Sequence, residues 1–168
     1  MIIEPTCQKL AEVVVTLAAS KGLTAATAES CTGGLISAAL TSVPGSSAVL
    51  TYGFVTYANE AKEDLLGVAP GVIAAHGAVS QHVAKAMASG ALARSGADLS
   101  VAVTGVAGPG GGTEQKPVGL VCFALAGPFG VRAEQRLFPD TSRDLVRLLT
   151  TRNALRLLKR GIALIQSP

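Results

Sequence analysis

Apolar side chains recur at helical spacing over residues 5–20, at Leu10, Val13, Val14, Leu17 and Ala18, and Lys21-Gly22 supplies a C-terminal stop. Residues 23–28 then read as a buried strand, and residues 35–43 return to helical spacing until Pro44-Gly45. Residues 49–58, rich in Val, Tyr, Phe and Thr, predict a second strand. Asn59 opens a short helix over residues 60–66, stopped by Gly67, and a loop through Pro70 and Gly71 follows. Ser80 caps a long helix that turns Val83, Met87, Ala91 and Leu92 inward and ends at Ser95-Gly96. Residues 99–103 form the most continuous β-branched run, and residues 118–126 and 131–138 pattern as two strands joined by a hairpin at Gly127-Pro128-Phe129-Gly130. A last helix, capped by Asp140 or Thr141, carries Leu145, Leu148, Leu149, Leu155, Leu158 and Ile162 on one face.

Helices and strands alternate through most of the chain, which predicts an α/β protein, a three-layer α/β/α sandwich with a sheet of about five strands. The late hairpin makes that sheet mixed. Residues 1–168 read as a single domain, without repeat or linker.

Composition narrows the function classes. With 49% hydrophobic and 15% charged residues the chain buries a substantial core, and its net charge of +3 is too small to argue for nucleic acid. Eight of the fourteen basic residues lie between Arg132 and Arg160, where they alternate with apolar positions as a solvated helix face would. Without Trp there is little aromatic surface on which to stack bases. The three cysteines, Cys7, Cys31 and Cys122, have no paired spacing, which points to a reducing cytoplasm and to no metal site. With Glu4 and Lys9 near the start no signal peptide is expected, and Pro44-Gly45 interrupts the uncharged stretch from residue 30 to 59, so no membrane span is expected.

Ligands in open α/β sheets bind beyond the carboxyl ends of strands, and three strand ends carry unusual loops: residues 29–34, 57–62 and 104–113. The first, Thr27-Ala28-Glu29-Ser30-Cys31-Thr32-Gly33-Gly34, is a strand-turn-helix junction, where helix N–H groups can receive an anion or oxyanion. A plain N-cap at Ser30 or Thr32 with glycines for a tight turn accounts for the same letters. In the second loop, an N-cap at Asn59 puts Lys62 at the capping-box position that favours Glu or Gln, and a cation there opposes the helix dipole. Stability gains nothing from it, so Lys62 becomes a candidate base, its pKa lowered by dipole and burial; an exposed lysine on a short helix is the plainer alternative. The third loop fits neither a P-loop nor a dinucleotide fingerprint and is a ribbon of N–H donors or a simple turn. His76 and His82 suit no triad, and no GxSxG elbow occurs. Ser30 activated by Lys62, with Tyr57 orienting or relaying the proton, is the pairing that remains, and Cys31 is its rival nucleophile.

Glu29-Ser30-Cys31-Thr32-Gly33-Gly34, Val43-Pro44-Gly45-Ser46-Ser47, Tyr57-Ala58-Asn59-Glu60-Ala61-Lys62, Leu65-Leu66-Gly67-Val68, Gly77-Ala78-Val79-Ser80, the 104–112 glycine loop and Lys116-Pro117-Val118-Gly119 together resemble the CinA C-terminal domain family, whose enzymes are nicotinamide mononucleotide amidohydrolases. The resemblance covers nearly the whole chain, so a domain standing alone is expected. It implies hydrolysis of the carboxamide of nicotinamide mononucleotide to nicotinate mononucleotide and ammonia, with Ser30 as nucleophile, Tyr57 and Lys62 as activating residues, and neither metal nor organic cofactor. Substrate contacts are expected from Cys31, Thr32, Gly33 and Gly34 on the first loop and from Thr104, Gly105, Gly108, Gly110 and Gly111 on the third, with Lys116 beside it. The region after Phe138 is less distinctive, and no phosphate contact is assigned to Arg143 or Arg147. Monomer and homodimer both stay open. The contrasting class is a non-catalytic nucleotide-binding or partner-recruiting module, for which Ser30 would be dispensable.

Overall fold

The computed structural model describes residues 3–139 and 142–166. Its elements are α1 (Pro5–Ser20), β1 (Ala25–Glu29), α2 (Leu35–Thr41), β2 (Leu50–Val55), α3 (Asn59–Leu66), α4 (Pro70–His76), α5 (Gln81–Ser95), β3 (Leu99–Gly105), β4 (Leu120–Gly127), β5 (Gly130–Leu137) and α6 (Arg143–Leu164). The strands form one mixed sheet in the order β2-β1-β3-β4-β5. β1 runs parallel to β2 and β3, with Glu29 beside Val55 and Val103, whereas β4 is antiparallel to β3 and β5 to β4. The carboxyl ends of β1, β2 and β3 therefore lie level on one side of the sheet.

Two cores flank the sheet, as the three-layer prediction requires. On one face α1, α2 and α6 pack Val14, Ile36, Leu40 and Leu158 against Val101, Val103, Val121 and Phe123. On the other, α3 and α5 pack Leu66, Val83, Met87 and Ala88 against Ala28, Ala102, Cys122 and Ala124. The small side chains on that second face let helix and sheet approach closely. Gly90 of α5 lies so near α3 that an added methyl would overlap the Leu66 carbonyl. Among the described residues no helix is long and apolar enough to cross a membrane.

The hairpin and the Ser80 cap fall where the pattern predicts them, and the Ser80 hydroxyl accepts the Val83 N–H at 3.1 Å. Other expectations need correction. The Pro70-Gly71 stretch starts a short helix rather than continuing a loop, with Pro at its first turn, where a missing N–H does no harm. The first strand includes Glu29, because that carboxylate finds donors just beyond it. In α1 the buried stripe is Cys7, Ala11, Val14, Val15 and Ala18, leaving Val13 exposed. In α6 Val146 is buried and Leu145 exposed; the helix is covered on two sides, so Thr150 and Thr151 are buried too, their hydroxyls donating to the Val146 and Arg147 carbonyls. Asp140 and Thr141 lie outside the described residues, and the cap of α6 is Ser142, whose hydroxyl accepts the Leu145 N–H.

Candidate active site

Ser30 follows β1 directly and donates its N–H to the Val103 carbonyl at 3.1 Å, which extends the β1–β3 pairing by one residue and fixes the start of the turn. Lys62, on α3, is 1% exposed. Its Nζ stands 3.2 Å from Ser30 Oγ, 2.8 Å from the Thr56 carbonyl and 3.2 Å from the Tyr57 carbonyl. Burial holds its pKa below the ordinary lysine value, against the opposing influence of Cys31 and Glu60. The two carbonyls accept only, so they take two N–H groups and aim the third position of the nitrogen at the serine.

The sequence finds Lys62 for the wrong reason. The N-cap of α3 is Ala58, which offers no side-chain cap, and Asn59 is the first helical residue. The capping-box position thus falls on Ala61, and the Lys62 N–H makes a first-turn bond to the Ala58 carbonyl at 3.3 Å. Burial, rather than a misplaced cap, is what depresses the amine.

Tyr57 comes to the site by its backbone. Its side chain is 61% exposed and the phenol accepts from Arg143 Nη2 at 3.1 Å, while the carbonyl is what meets Lys62. Cys31 is buried beside Ser30, and burial pushes its thiol up to about 12. The Thr32 hydroxyl donates to Glu29 Oε2 at 2.7 Å, and its carbonyl accepts from Arg147 Nη2 at 3.0 Å. Gly33 and Gly34 take φ of 60° and 101°, which glycine adopts without strain. Their N–H groups go to the Ser30 carbonyl and to Glu29 Oε2, each at 3.0 Å, so neither is an open donor.

On the third loop Thr104 turns its hydroxyl to the Ala78 carbonyl at 2.9 Å, and Gly105 closes β3 where a side chain would press on Val121. The Gly108 carbonyl accepts from Arg143 Nη1 at 2.8 Å, and Gly110 and Gly111 are exposed. The Lys116 ammonium is spent on the His76 carbonyl at the end of α4. A cavity of about 570 Å³ lies beside it, lined by His76, His82, Lys85 and Gln135 among others, and neither Ser30 nor Lys62 borders it. No cluster of three or more His, Cys, Asp or Glu is gathered among the described residues.

Sequence reasoning assigns no role to Glu29, Arg143 or Arg147. Two basic residues four apart in the first two turns of the last helix were the available signal for the arginines. Glu29 offered only a carboxylate at the end of an apolar run.

A buried serine-lysine pair beyond the carboxyl ends of parallel strands, in a three-layer α/β/α sandwich, defines the class of site. The CinA C-terminal domain model matches residues 7–162, and the chain belongs to that family. It is 62% identical to a CinA-like protein of Chlorobaculum tepidum, over 70% of this chain and 28% of that protein. It is 54% identical to one of Mycobacterium marinum, over 82% of this chain and 32% of that protein. The chain thus spans less than two fifths of the length of the curated relatives it matches. Among solved structures, the competence/damage inducible protein CihA of Agrobacterium tumefaciens superposes with a TM-score of 0.93 at 47% identity, covering 97% of this chain and 99% of that one.

Proposed function

We propose that the chain hydrolyses the carboxamide of nicotinamide mononucleotide to nicotinate mononucleotide and ammonia, through a Ser30 nucleophile and a Lys62 base. The observation that carries this reading is the buried Lys62 Nζ at 3.2 Å from Ser30 Oγ, with burial favouring the neutral amine. Lys62 takes the hydroxyl proton as Ser30 Oγ bonds to the amide carbon, and the carbonyl electron pair moves onto oxygen. The ammonium then returns that proton to the leaving nitrogen as the C–N bond breaks, releasing ammonia and an acyl-serine. Water, deprotonated by the same amine, cleaves the ester. Tyr57 supplies a carbonyl that orients the amine and a phenol that joins Arg143 at the wall of the site.

Ammonia release by the purified chain on nicotinamide mononucleotide tests the reading. Ser30→Ala should lose the activity by at least about 10²-fold, whereas Cys31→Ala keeps a substantial part of it, because a thiol held near 12 is protonated at neutral pH. Full retention in Ser30→Ala, or loss confined to Cys31→Ala, would reject the assignment. A non-catalytic module would release no ammonia at all.

A further inference from the structure

Among the described residues the only buried carboxylate is Glu29, and five donors surround it. Oε2 accepts from Thr32 Oγ1 at 2.7 Å and from the Gly34 and Ile36 N–H groups at 3.0 Å. Oε1 accepts from the Ser37 N–H and hydroxyl, both at 2.8 Å. The strand end thereby caps the helix that follows it, and the N–H groups of α2 that an oxyanion or phosphate would otherwise use are occupied by the protein's own charge. The Gly33 N–H is closed onto the Ser30 carbonyl. Only two N–H groups in the turn after the serine, those of Cys31 and Thr32, donate to no other residue among the described ones, the Cys31 N–H lying against its own sulfur.

We infer that Glu29 is a positioning residue: by tying Thr32, Gly34, Ile36 and Ser37 to the end of β1 it holds the turn so that the Cys31 and Thr32 N–H groups receive the oxyanion formed at Ser30. This rests on the proposed role of Ser30 as nucleophile. A charged oxygen gathers its compensation from donors already in place, and a donor that wanders by a fraction of an ångström loses much of its worth. Glutamine at position 29 must turn an NH2 group toward either the Ser37 or the Gly34 and Ile36 donors, so part of the tether becomes repulsive.

The test labels the full chain with a fluorophosphonate, which bonds phosphorus to Ser30 Oγ, expels fluoride and gathers charge on the phosphoryl oxygen; intact mass gives the rate whatever the natural amide. Wild type should gain one adduct, on Ser30. Glu29→Gln, shown folded by circular dichroism at the labelling temperature, should react at least about tenfold more slowly, as loss of oxyanion donors does. Thr32→Val, which removes one tether and leaves every charge, should be slowed several-fold, and it decides the question if Glu29→Gln does not fold. A purely structural role would lower the melting temperature but leave the folded protein's labelling rate unchanged, and that result overturns the inference. Wild type that takes no label on Ser30 overturns the nucleophile assignment instead.

Discussion

Lys62 is held in a place that disfavours its own charge, and the sign of that effect can be followed with pH. Its folded pKa lies below the unfolded value of about 10.4, so between the two the unfolded chain binds more protons. Stability therefore rises with pH across that window, and the penalty is full below the folded pKa and gone above the unfolded one. Lys62→Met removes the titrating group. Its stability relative to wild type should be most favourable below the folded pKa of Lys62 and fall as pH rises from there toward about 10, on top of a constant loss from the unpaired Thr56 and Tyr57 carbonyls. Denaturant midpoints measured across that range provide the check. A difference that does not change with pH would mean that the amine binds its proton as an ordinary lysine does.

α3 reaches the site because α5 lets it come close. Gly90 faces the last turn of α3, and Gly90→Ala would drive a methyl into the Leu66 carbonyl, forcing apart the helix that carries Lys62. The overpacking should destabilise by about 1–3 kcal/mol, and activity of the folded protein should fall as well, since Nζ cannot keep its distance to Ser30. Gly71→Ala, with open space around it, is the control and should change neither. Calorimetry together with ammonia release separates the two effects; an unaltered rate in Gly90→Ala would detach the α3–α5 contact from the site. Periodicity made α5 legible, because it buries a stripe of its own, whereas α3, which buries only Lys62 and Leu66, was legible from Asn59 and the Gly67 stop. The pattern did not reveal α4, which buries no residue and begins with letters that usually mark a turn. Nor did it reveal the work of Glu29, whose donors lie three to eight residues further on and belong to another element. Ser30 and Lys62 stood out as letters, but their meeting depends on β1 and β2 lying side by side, which no local pattern encodes.

Across the whole molecule, α6 sends two arginines over the carboxyl ends of the parallel strands from the face opposite α3 and α5. Arg143 bridges the Gly108 carbonyl and the Tyr57 phenol, and Arg147 holds the Thr32 carbonyl, so three distant loops share one helix as anchor. Arg143→Lys keeps the charge but cannot span two acceptors in a fork. Under the proposed activity, the apparent KM for nicotinamide mononucleotide should rise about tenfold, equivalent to about 1.4 kcal/mol, with kcat less affected because no reacting atom is touched. Initial-rate kinetics would show this, and an unchanged KM would remove Arg143 from the wall of the site. The position of β1 has a consequence for how the protein comes into being. Its partner β3 is far away in sequence, Ala25 pairing with Leu99, whereas β4 and β5 are joined by a tight hairpin and need no such long closure. Ser30 takes its backbone bond from the end of β3, and Lys62 hangs from the helix after β2, so the pair assembles only when β1 has been threaded between both neighbours. A chain arrested earlier, on the ribosome or after heat, carries every letter of the site and none of its reactivity.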